Sequence, residues 1–194
     1  TAYDIASCLV GSEMCIRDSD IIGEELSTQL RELQDDLPPF EMKYVEEYLE
    51  ESFGKSYKEI FKKIDPPIAA ASIAQVHKAR VNINGKNKNI ALKILRPKIL
   101  EKIKKDLGDF YFAAKFLEKI SSEARRLRLV EIVRTLEESL FMEVDLRLEG
   151  AAQSEIIENT ENDDFIRVPK IYWELTSKNI LATEWVDSFS SKDI

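Results

Sequence analysis

Cysteine, histidine and glycine are scarce in this sequence, and each scarcity argues against a kind of protein. The 194 residues include 2 cysteines, 1 histidine and 6 glycines. Two cysteines do not make a disulfide framework, so a reducing compartment is expected. The single histidine, His77, has no acid or nucleophile to accompany it, which favours a structural hydrogen-bonding role over catalysis.

Long apolar runs and an excess of positive charge are also missing. No stretch reaches the roughly 18–20 apolar residues that span a bilayer, and the most apolar segment, 110–117, is interrupted by Lys115. The net charge of -8 makes nucleic acid an unexpected partner. Basic clusters at 98–105 and 125–128 have helical spacing, and we interpret them as solvated helix faces rather than phosphate or headgroup patches.

The first 19 residues do not resemble a protein segment. Residues 7–19, SCLVGSEMCIRDS, resemble a translated sequencing adapter. A signal peptide is the alternative, but no basic region is followed by an uninterrupted apolar core. We therefore interpret 1–19 as non-native, and no redox or metal site is inferred from Cys8 and Cys15, which both lie there.

Residues 20–64 show helical periodicity and are predicted to form a helical extension. Apolar residues at 22, 26, 30 and 33 share one helix face, and Pro38 and Pro39 end that helix. A second helix is predicted over 41–53, with Gly54 at its C-terminal cap. Ser56 and Glu59 form a capping-box pattern that starts a short third helix.

Beyond residue 64 the pattern predicts an α+β domain over 65–194. Strands are expected at 68–72, 75–81, 89–95, 165–171 and 179–186, and helices at 99–117 and 129–157. The dipeptide Asn84-Gly85 is typical of a hairpin turn, here with a longer loop through 86–88. A five-stranded antiparallel sheet with a helix after its third strand is the layout of a protein-kinase N-lobe, although order alone is weak evidence.

The tetrapeptide Ile90-Ala91-Leu92-Lys93 fits the V-A-I-K pattern of a kinase third strand. The strand period places Ala91 and Lys93 on one face, where the small alanine leaves room for an adenine ring and the lysine points toward phosphates. A lysine in an apolar strand requires a carboxylate nearby. By itself the tetrapeptide fits a lysine that extends from an edge strand to water equally well.

Four segments together resemble the UbiB/aarF family of atypical kinase-like proteins. They are ELQDDLPPF at 32–40, IAAASIAQVHKARV at 68–81, IALKILRP at 90–97 and MEVDLRLEGAAQ at 142–153. The resemblance extends from Asp20 to the end of the chain. It implies a kinase-like N-lobe in which an alanine-rich loop replaces the glycine-rich loop.

The resemblance implies the nucleotide-binding residues, and it assigns no catalytic residue and no metal ligand within the chain. Glu149 is expected to pair with Lys93, and Asp145 to share its helix face. Glu143 and Asp145 are expected to contact the N-terminal extension or the nucleotide site, with an ordinary acidic helix face as the alternative. Backbone groups of Glu184 and Val186 are expected at the adenine edge. The full set is Ile68, Ala69, Ala70, Ala71, Ser72, Ile73, Ala74, Gln75, Val76, Ala91, Lys93, Glu143, Asp145, Glu149, Glu184 and Val186.

Alanine in place of glycine has a physical consequence for the loop. Each Cβ holds the backbone further from the phosphates and restricts its conformations. We therefore expect Ala69, Ala70 and Ala71 to favour nucleotide binding or slow ATP hydrolysis over transfer to a bulky protein substrate.

The resemblance also implies a function for a longer parent protein. It would bind ATP with Mg²⁺ and act as an ATPase or small-molecule kinase that supports ubiquinone and other prenyl-quinone synthesis. Its expected location is the cytoplasmic side of the inner membrane, and its expected partners are prenyl-lipid intermediates and quinone-biosynthesis proteins. The alternatives are a non-catalytic nucleotide-binding scaffold and a helical scaffold without a nucleotide site.

Both ends of the chain are expected to be truncated. The catalytic and Mg²⁺-binding acids of a kinase-like protein lie in the C-lobe, beyond Ile194, and the family's K-x-G-Q motif lies upstream of Asp20. The chain on its own is therefore expected to be inactive. An intact catalytic aspartate in the parent would favour the enzyme over the scaffold.

Overall fold

The computed structural model describes residues 38–163 and 165–187. The adapter-like segment and the predicted helix over 22–33 lie outside the described residues. The elements, in chain order, are α1 (Met42–Phe53), α2 (Tyr57–Ile60), β1 (Phe61–Ala70), β2 (Ala74–Ile83), β3 (Lys86–Leu95), α3 (Ile99–Ile120), α4 (Ser122–Leu127), α5 (Leu129–Glu143), α6 (Leu146–Asn159), a 3-10 helix (Trp173–Leu175) and β4 (Ile180–Glu184).

The described strands form one four-stranded antiparallel sheet with the order β1-β2-β3-β4. The predicted α+β class and kinase-like N-lobe arrangement are confirmed, but the predicted count of five strands is wrong. Segment 165–171 contributes one bridge, between Ile171 and Thr183. Pro169 has no N–H to donate to a ladder, and Phe165 is 98% exposed, so it is the end of this segment, at Lys170 and Ile171, that is held against β4.

Strand β1 begins at Phe61, seven residues before the predicted start at Ile68. Pro66 and Pro67 were interpreted as a boundary, yet both lie inside the strand. They are tolerated because β1 is at the edge of the sheet, where a missing N–H leaves no neighbouring strand without a partner. Its pairing with β2 shifts register on both sides of Pro67.

The β2–β3 hairpin is tighter than predicted. Ile83 pairs with Lys86, so the loop contains only Asn84 and Gly85. Their φ values are 52° and 77°, the left-handed conformation that a two-residue turn requires and that Asn and Gly adopt at low cost. The expected longer loop through 86–88 is therefore wrong.

The predicted long helix over 129–157 is two helices, α5 and α6, separated at Val144 and Asp145. Asp145 is extended, and its side chain accepts a hydrogen bond from the backbone N–H of Arg147 at 3.2 Å, which caps α6. Helical periodicity runs through the break because both helices bury apolar residues against the same core. A capping aspartate inside the periodic pattern marks such a break.

The shorter helices agree with the sequence patterns in most respects. Helix α1 ends at Gly54, whose φ of 63° makes it the predicted left-handed cap. Helix α2 starts after Ser56, but the side-chain cap of the predicted capping box does not form. Helix α3 continues to Ile120. No helix among residues 38–163 and 165–187 is long and apolar enough to cross a membrane.

The alternation of side chains along β3 gives the sheet two different faces. Ile90, Leu92 and Ile94 are buried in a cluster with α1 and the 3-10 helix. Burial of each such side chain stabilises the fold by about 1.5–3 kcal/mol. Ala91 and Lys93 face the opposite side, and a second cluster joins that side of the sheet to α3, α5 and α6. The first face is a closed core, and the second carries the candidate site.

Candidate functional site

Lys93 and Glu149 form a bidentate ion pair between β3 and α6. The Lys93 Nζ donates to Glu149 Oε1 at 2.9 Å and to Oε2 at 2.8 Å. The two side chains are only 10% and 14% exposed. Removing one partner of a buried pair typically costs about 3–5 kcal/mol because the other charge stays desolvated. The structure therefore brings together the lysine and the glutamate that the sequence paired across 56 positions, while their nucleotide-binding role stays a prediction.

Glu143, the last residue of α5, lies in the electrostatic field of this pair. Burial raises the pKa of the Glu143 carboxyl above its usual range, Lys93 lowers it and Glu149 raises it further. A carboxylate at the carboxyl end of a helix is also disfavoured by the helix dipole. The site thus holds two acids beside one lysine.

Asp145 does not join this group. Its carboxylate accepts from the Arg147 guanidinium at 2.9 and 2.6 Å, and this bond holds the pKa of Asp145 below its usual range. The prediction that Asp145 shares a helix face with Glu149 is wrong, because Asp145 precedes the helix and caps it. Its contact with the nucleotide or the extension stays a prediction.

The predicted nucleotide loop is the connection between β1 and β2, at residues 71–73. Ile68 to Ala70 end β1, and Ala74 to Val76 begin β2. The Ala71 N–H donates to the Ala74 carbonyl at 2.8 Å, which closes the turn. Ile73 and Ala74 pack into the cluster of α3, α5 and α6, whereas Ser72 is exposed. The loop is thus anchored at one end and open to solvent at its tip.

A small apolar surface lies on the same sheet face as Lys93. Val76 and Ala91 are buried, and Ala69 and Trp185 pack against them. The Lys78 Nζ lies 4.2 Å from the centroid of the Trp185 ring, a cation–π contact. The sequence pattern did not indicate Trp185, because the interpretation of 184–186 relied on backbone groups alone.

The two residues predicted at the adenine edge differ in their contacts. The Glu184 carboxylate accepts from Arg167 at 2.8 Å, and the Glu184 N–H donates to the Lys170 carbonyl at 2.7 Å. Among the hydrogen bonds of residues 38–163 and 165–187, none has the Val186 N–H as donor. The Glu184 N–H is thus bonded within the chain, whereas no acceptor for the Val186 N–H lies among the described residues.

Gln75 is the predicted site residue that the structure places elsewhere. It lies buried on the opposite sheet face, where its amide accepts from the Phe40 N–H at 3.0 Å and donates to the Phe40 carbonyl at 3.4 Å. Its Nε2 also lies 2.9 Å from His77 Nε2, and His77 Nδ1 lies 2.8 Å from the Asp65 carbonyl. Burial lowers the pKa of His77, so the ring is neutral and bridges two polar groups. Both residues hold the fold together.

Arg96 is the other residue that the sequence pattern did not indicate. Its Nε donates to the Ala71 carbonyl at 2.8 Å and its Nη1 to the Pro38 carbonyl at 3.1 Å. It follows β3 by one residue in the segment ILRP, so its nearness to a conspicuous motif was the only available signal. Within the described ranges, no group of three or more His, Cys, Asp or Glu side chains could hold a metal ion.

Comparisons with known proteins agree with this geometry. Residues 32–194 match the ABC1 atypical kinase-like domain family. The chain is 36% identical over 176 residues to "Probable protein kinase UbiB" of Marinobacter nauticus, an alignment that covers 90% of this chain and 32% of that protein. The protein of the same name in Pseudomonas putida is 36% identical over 166 residues, covering 85% of this chain and 30% of that protein.

A third relative extends the agreement to another genus. "Probable protein kinase UbiB" of Actinobacillus pleuropneumoniae is 35% identical over 178 residues, which is 90% of this chain and 33% of that protein. The chain thus spans about a third of the length of the curated relatives that it matches. The family match covers most of the chain, including the alanine-rich loop, Lys93 and Glu149, so the chain belongs to the ABC1 atypical kinase-like family, among UbiB proteins.

Proposed function

We propose that the chain is the ATP-binding lobe of a UbiB-like atypical kinase or ATPase that supports ubiquinone synthesis. The observation that carries the proposal is the bidentate pair of Lys93 and Glu149 on the sheet face below the alanine-rich loop. In a kinase-like site such a pair holds the lysine ammonium against the phosphates. Association of the whole protein with the inner membrane, and with prenyl-lipid intermediates and quinone-biosynthesis proteins, is part of the same proposal.

The surroundings of the pair support nucleotide binding. Val76, Ala91 and Trp185 offer an apolar surface for a flat base, and the Val186 N–H is a donor at its edge. Lys93 supplies positive charge where phosphates would lie, in a chain whose net charge is -8. ATP is the ligand that uses an apolar platform, an edge donor and a lysine together. Mg²⁺ would accompany it and supply charge neutralisation at the phosphates.

The deciding experiment compares two lysines of the same strand. Full-length protein is titrated with Mg²⁺-ATP, and the rise in melting temperature is recorded for wild type, Lys93→Ala and Lys88→Ala. Lys88 lies on the opposite face of β3, over the Tyr172 ring, so its loss removes the same charge away from the site. We expect a rise of several degrees in wild type and Lys88→Ala and none in Lys93→Ala. Equal responses in all three proteins would refute a pocket built on Lys93.

The loop composition favours a second candidate, a nucleotide-binding scaffold without turnover. Ala69, Ala70 and Ala71 occupy positions where glycine lets backbone N–H groups close onto phosphates. ATP hydrolysis by the full-length protein separates the candidates. Phosphate release that Lys93→Ala abolishes supports the enzyme, whereas tight binding with no release above the Lys93→Ala background supports the scaffold.

A further inference from the structure

We propose that Arg96 is a positioning residue that holds the alanine-rich loop with its N–H groups turned toward the phosphates of the nucleotide. The inference rests on the proposed nucleotide-binding function and deepens it. Arg96 itself contacts no ligand in this proposal, because its Nε and Nη1 donate to carbonyls behind the loop, and its Nη2 is buried there with no hydrogen-bond partner among the described residues. Its effect on the nucleotide is transmitted through the backbone of residues 71–73.

Arg96 holds two of the three carbonyl groups in the loop. Its side-chain Nε donates to the Ala71 carbonyl at 2.8 Å, and its backbone N–H donates to the Ile73 carbonyl at 2.8 Å. The Ala71 N–H closes the same turn on the Ala74 carbonyl. One residue thereby sets the orientation of the peptide planes at both ends of the loop.

The direction of the carbonyls determines the direction of the donors. In a trans peptide the carbonyl of one residue and the N–H of the next point to opposite sides. Because the Ala71 carbonyl points at Arg96, the Ser72 N–H points away from it. Among the hydrogen bonds of the described part of the chain, none has the N–H of Ser72 or Ile73 as donor. The Ser72 N–H, whose direction the Arg96 bond to the Ala71 carbonyl sets, is thus a backbone donor from which a phosphate oxygen can accept.

The strand before the loop cannot set this geometry alone. Pro66 and Pro67 remove two donors from β1, and the register of β1 against β2 shifts on both sides of Pro67. Ala70 pairs with Gln75 in the final rung before the loop. A loop that follows an irregular edge strand needs an additional anchor. Arg96, which directly follows the regular strand β3, supplies it.

Arg96 also ties the loop to the segment that precedes α1. Its Nη1 donates to the Pro38 carbonyl at 3.1 Å, and the guanidinium lies 6.0 Å from the centroid of the Phe40 ring. Gln75 holds the same segment through both backbone groups of Phe40. Arginine suits this place because its rigid fork reaches two carbonyls in different directions, which a lysine ammonium at the end of a flexible chain does not reproduce.

The proposal predicts a loss that depends on the phosphates. Without the Arg96 side chain the Ala71–Ser72 peptide loses the hydrogen bond that orients it, and the Ser72 N–H no longer has a fixed direction. ATP uses this donor and adenosine does not, because adenosine has no phosphate. A general loosening of the lobe would instead weaken both ligands by the same factor.

The test measures the affinities of full-length protein for Mg²⁺-ATP and for adenosine by titration calorimetry. We expect Arg96→Met to weaken ATP binding about tenfold, which corresponds to about 1.4 kcal/mol, and to leave adenosine binding within about twofold. Arg96→Lys, which keeps the charge and one donor, is expected to show a smaller loss of the same kind. If Arg96→Met does not fold, the ratio of ATP loss to adenosine loss in Arg96→Lys decides between a positioning and a structural role. Arg80→Met is the control, since Arg80 is exposed on β2 and bonds only Asn89.

Two results would overturn the proposal. Equal losses of affinity for ATP and for adenosine would show that Arg96 has a structural role only. Unchanged ATP affinity in both variants would show that the loop geometry does not depend on the Arg96 side chain. A wild-type protein that binds neither ligand would refute the proposed nucleotide-binding function itself. That outcome differs from the first two, in which wild type binds ATP normally.

Discussion

At the scale of single residues, Glu143 is an acid whose ionisation opposes folding. Burial raises the pKa of its carboxyl, and the Glu149 carboxylate adds to the effect while Lys93 partly offsets it. The folded state therefore binds a proton more readily than the unfolded chain. Stability from this group is fully present below the unfolded pKa of about 4.3 and is lost as pH rises through the raised folded pKa.

Replacing Glu143 by glutamine is expected to stabilise the protein at neutral pH. Because the ionised carboxylate at the end of α5 is removed, the free energy of unfolding at pH 7.5 should rise by about 0.3–1 kcal/mol. The gain should shrink as pH is lowered from 7.5 to 5, because the raised pKa of the wild-type carboxyl favours its neutral form in that direction. Urea unfolding at both pH values measures it, with Glu138→Gln on the exposed face of the same helix as control. A gain of equal size at both pH values would point to packing rather than charge.

The residue scale also shows which parts of the candidate site were predictable. Lys93 was indicated by its place in a strand pattern, which also required a carboxylate nearby. The family resemblance identified that carboxylate as Glu149. Arg96 and Trp185 were not, because their roles depend on contacts across strands rather than on spacing along the chain. Gln75 lay within the matching motif, yet strand alternation turns it to the other face, where it holds Phe40.

At the scale of elements, the strands and helices with clear hydrophobic periodicity were predicted best. Side chains of β2 and β3 alternate between the two faces of the sheet, and the hairpin that joins these strands follows from Asn84-Gly85. The boundaries of β1 were wrong because edge position, which tolerates Pro66 and Pro67, is a property of the sheet and not of the local sequence. The break at Asp145 was missed because α5 and α6 bury apolar residues in the same cluster.

The contact of α6 with the sheet depends on Gly150, the neighbour of Glu149. A Cβ at Gly150 would lie 3.1 Å from Cη2 of Trp173 and 3.2 Å from Cδ1 of Leu181. Trp173 is 47% exposed and its ring can shift, whereas Leu181 is buried in β4. The absence of a side chain therefore allows α6 to approach the sheet closely enough for Glu149 to reach Lys93.

Replacing Gly150 by alanine is expected to destabilise the protein by about 1 kcal/mol, because the overpacking cost exceeds the helix propensity that alanine adds. Gly108→Ala is the matched control, since it lies in α3 with nothing within 4 Å of the added Cβ. That change should instead stabilise the protein by up to about 1 kcal/mol. Thermal unfolding measures both.

A second variant identifies the contact responsible. In a Leu181→Val background the nearest fixed atom is gone, so Gly150→Ala should there be neutral or stabilising. If Gly150→Ala lowers the free energy of unfolding equally in both backgrounds, the Leu181 Cδ1 atom does not set the distance between α6 and the sheet.

At the scale of the whole molecule, the sheet separates a closed core from an open face that carries the candidate site. The cluster with α1 buries one face, and the other carries Lys93, the alanine-rich loop and the Trp185 surface. The chain spans about a third of its curated relatives' length. The remaining two thirds are expected to cover this open face, and the resemblance places the Mg²⁺ ligands there.

The last prediction concerns magnesium. If its ligands lie outside this chain, chelation with EDTA should weaken ATP binding to full-length protein by about tenfold or more, since uncompensated phosphate charge is costly at a partly buried site. Glu143→Gln should lose ATP affinity on chelation by the same factor as wild type, because the resemblance assigns no metal ligand to this chain. Calorimetric titration of wild type and Glu143→Gln with and without Mg²⁺ gives the ratio of ATP affinities for each protein. A Glu143→Gln variant whose ATP affinity no longer responds to EDTA would instead identify Glu143 as a metal ligand, and Mg²⁺ would then be held by this chain together with residues outside it.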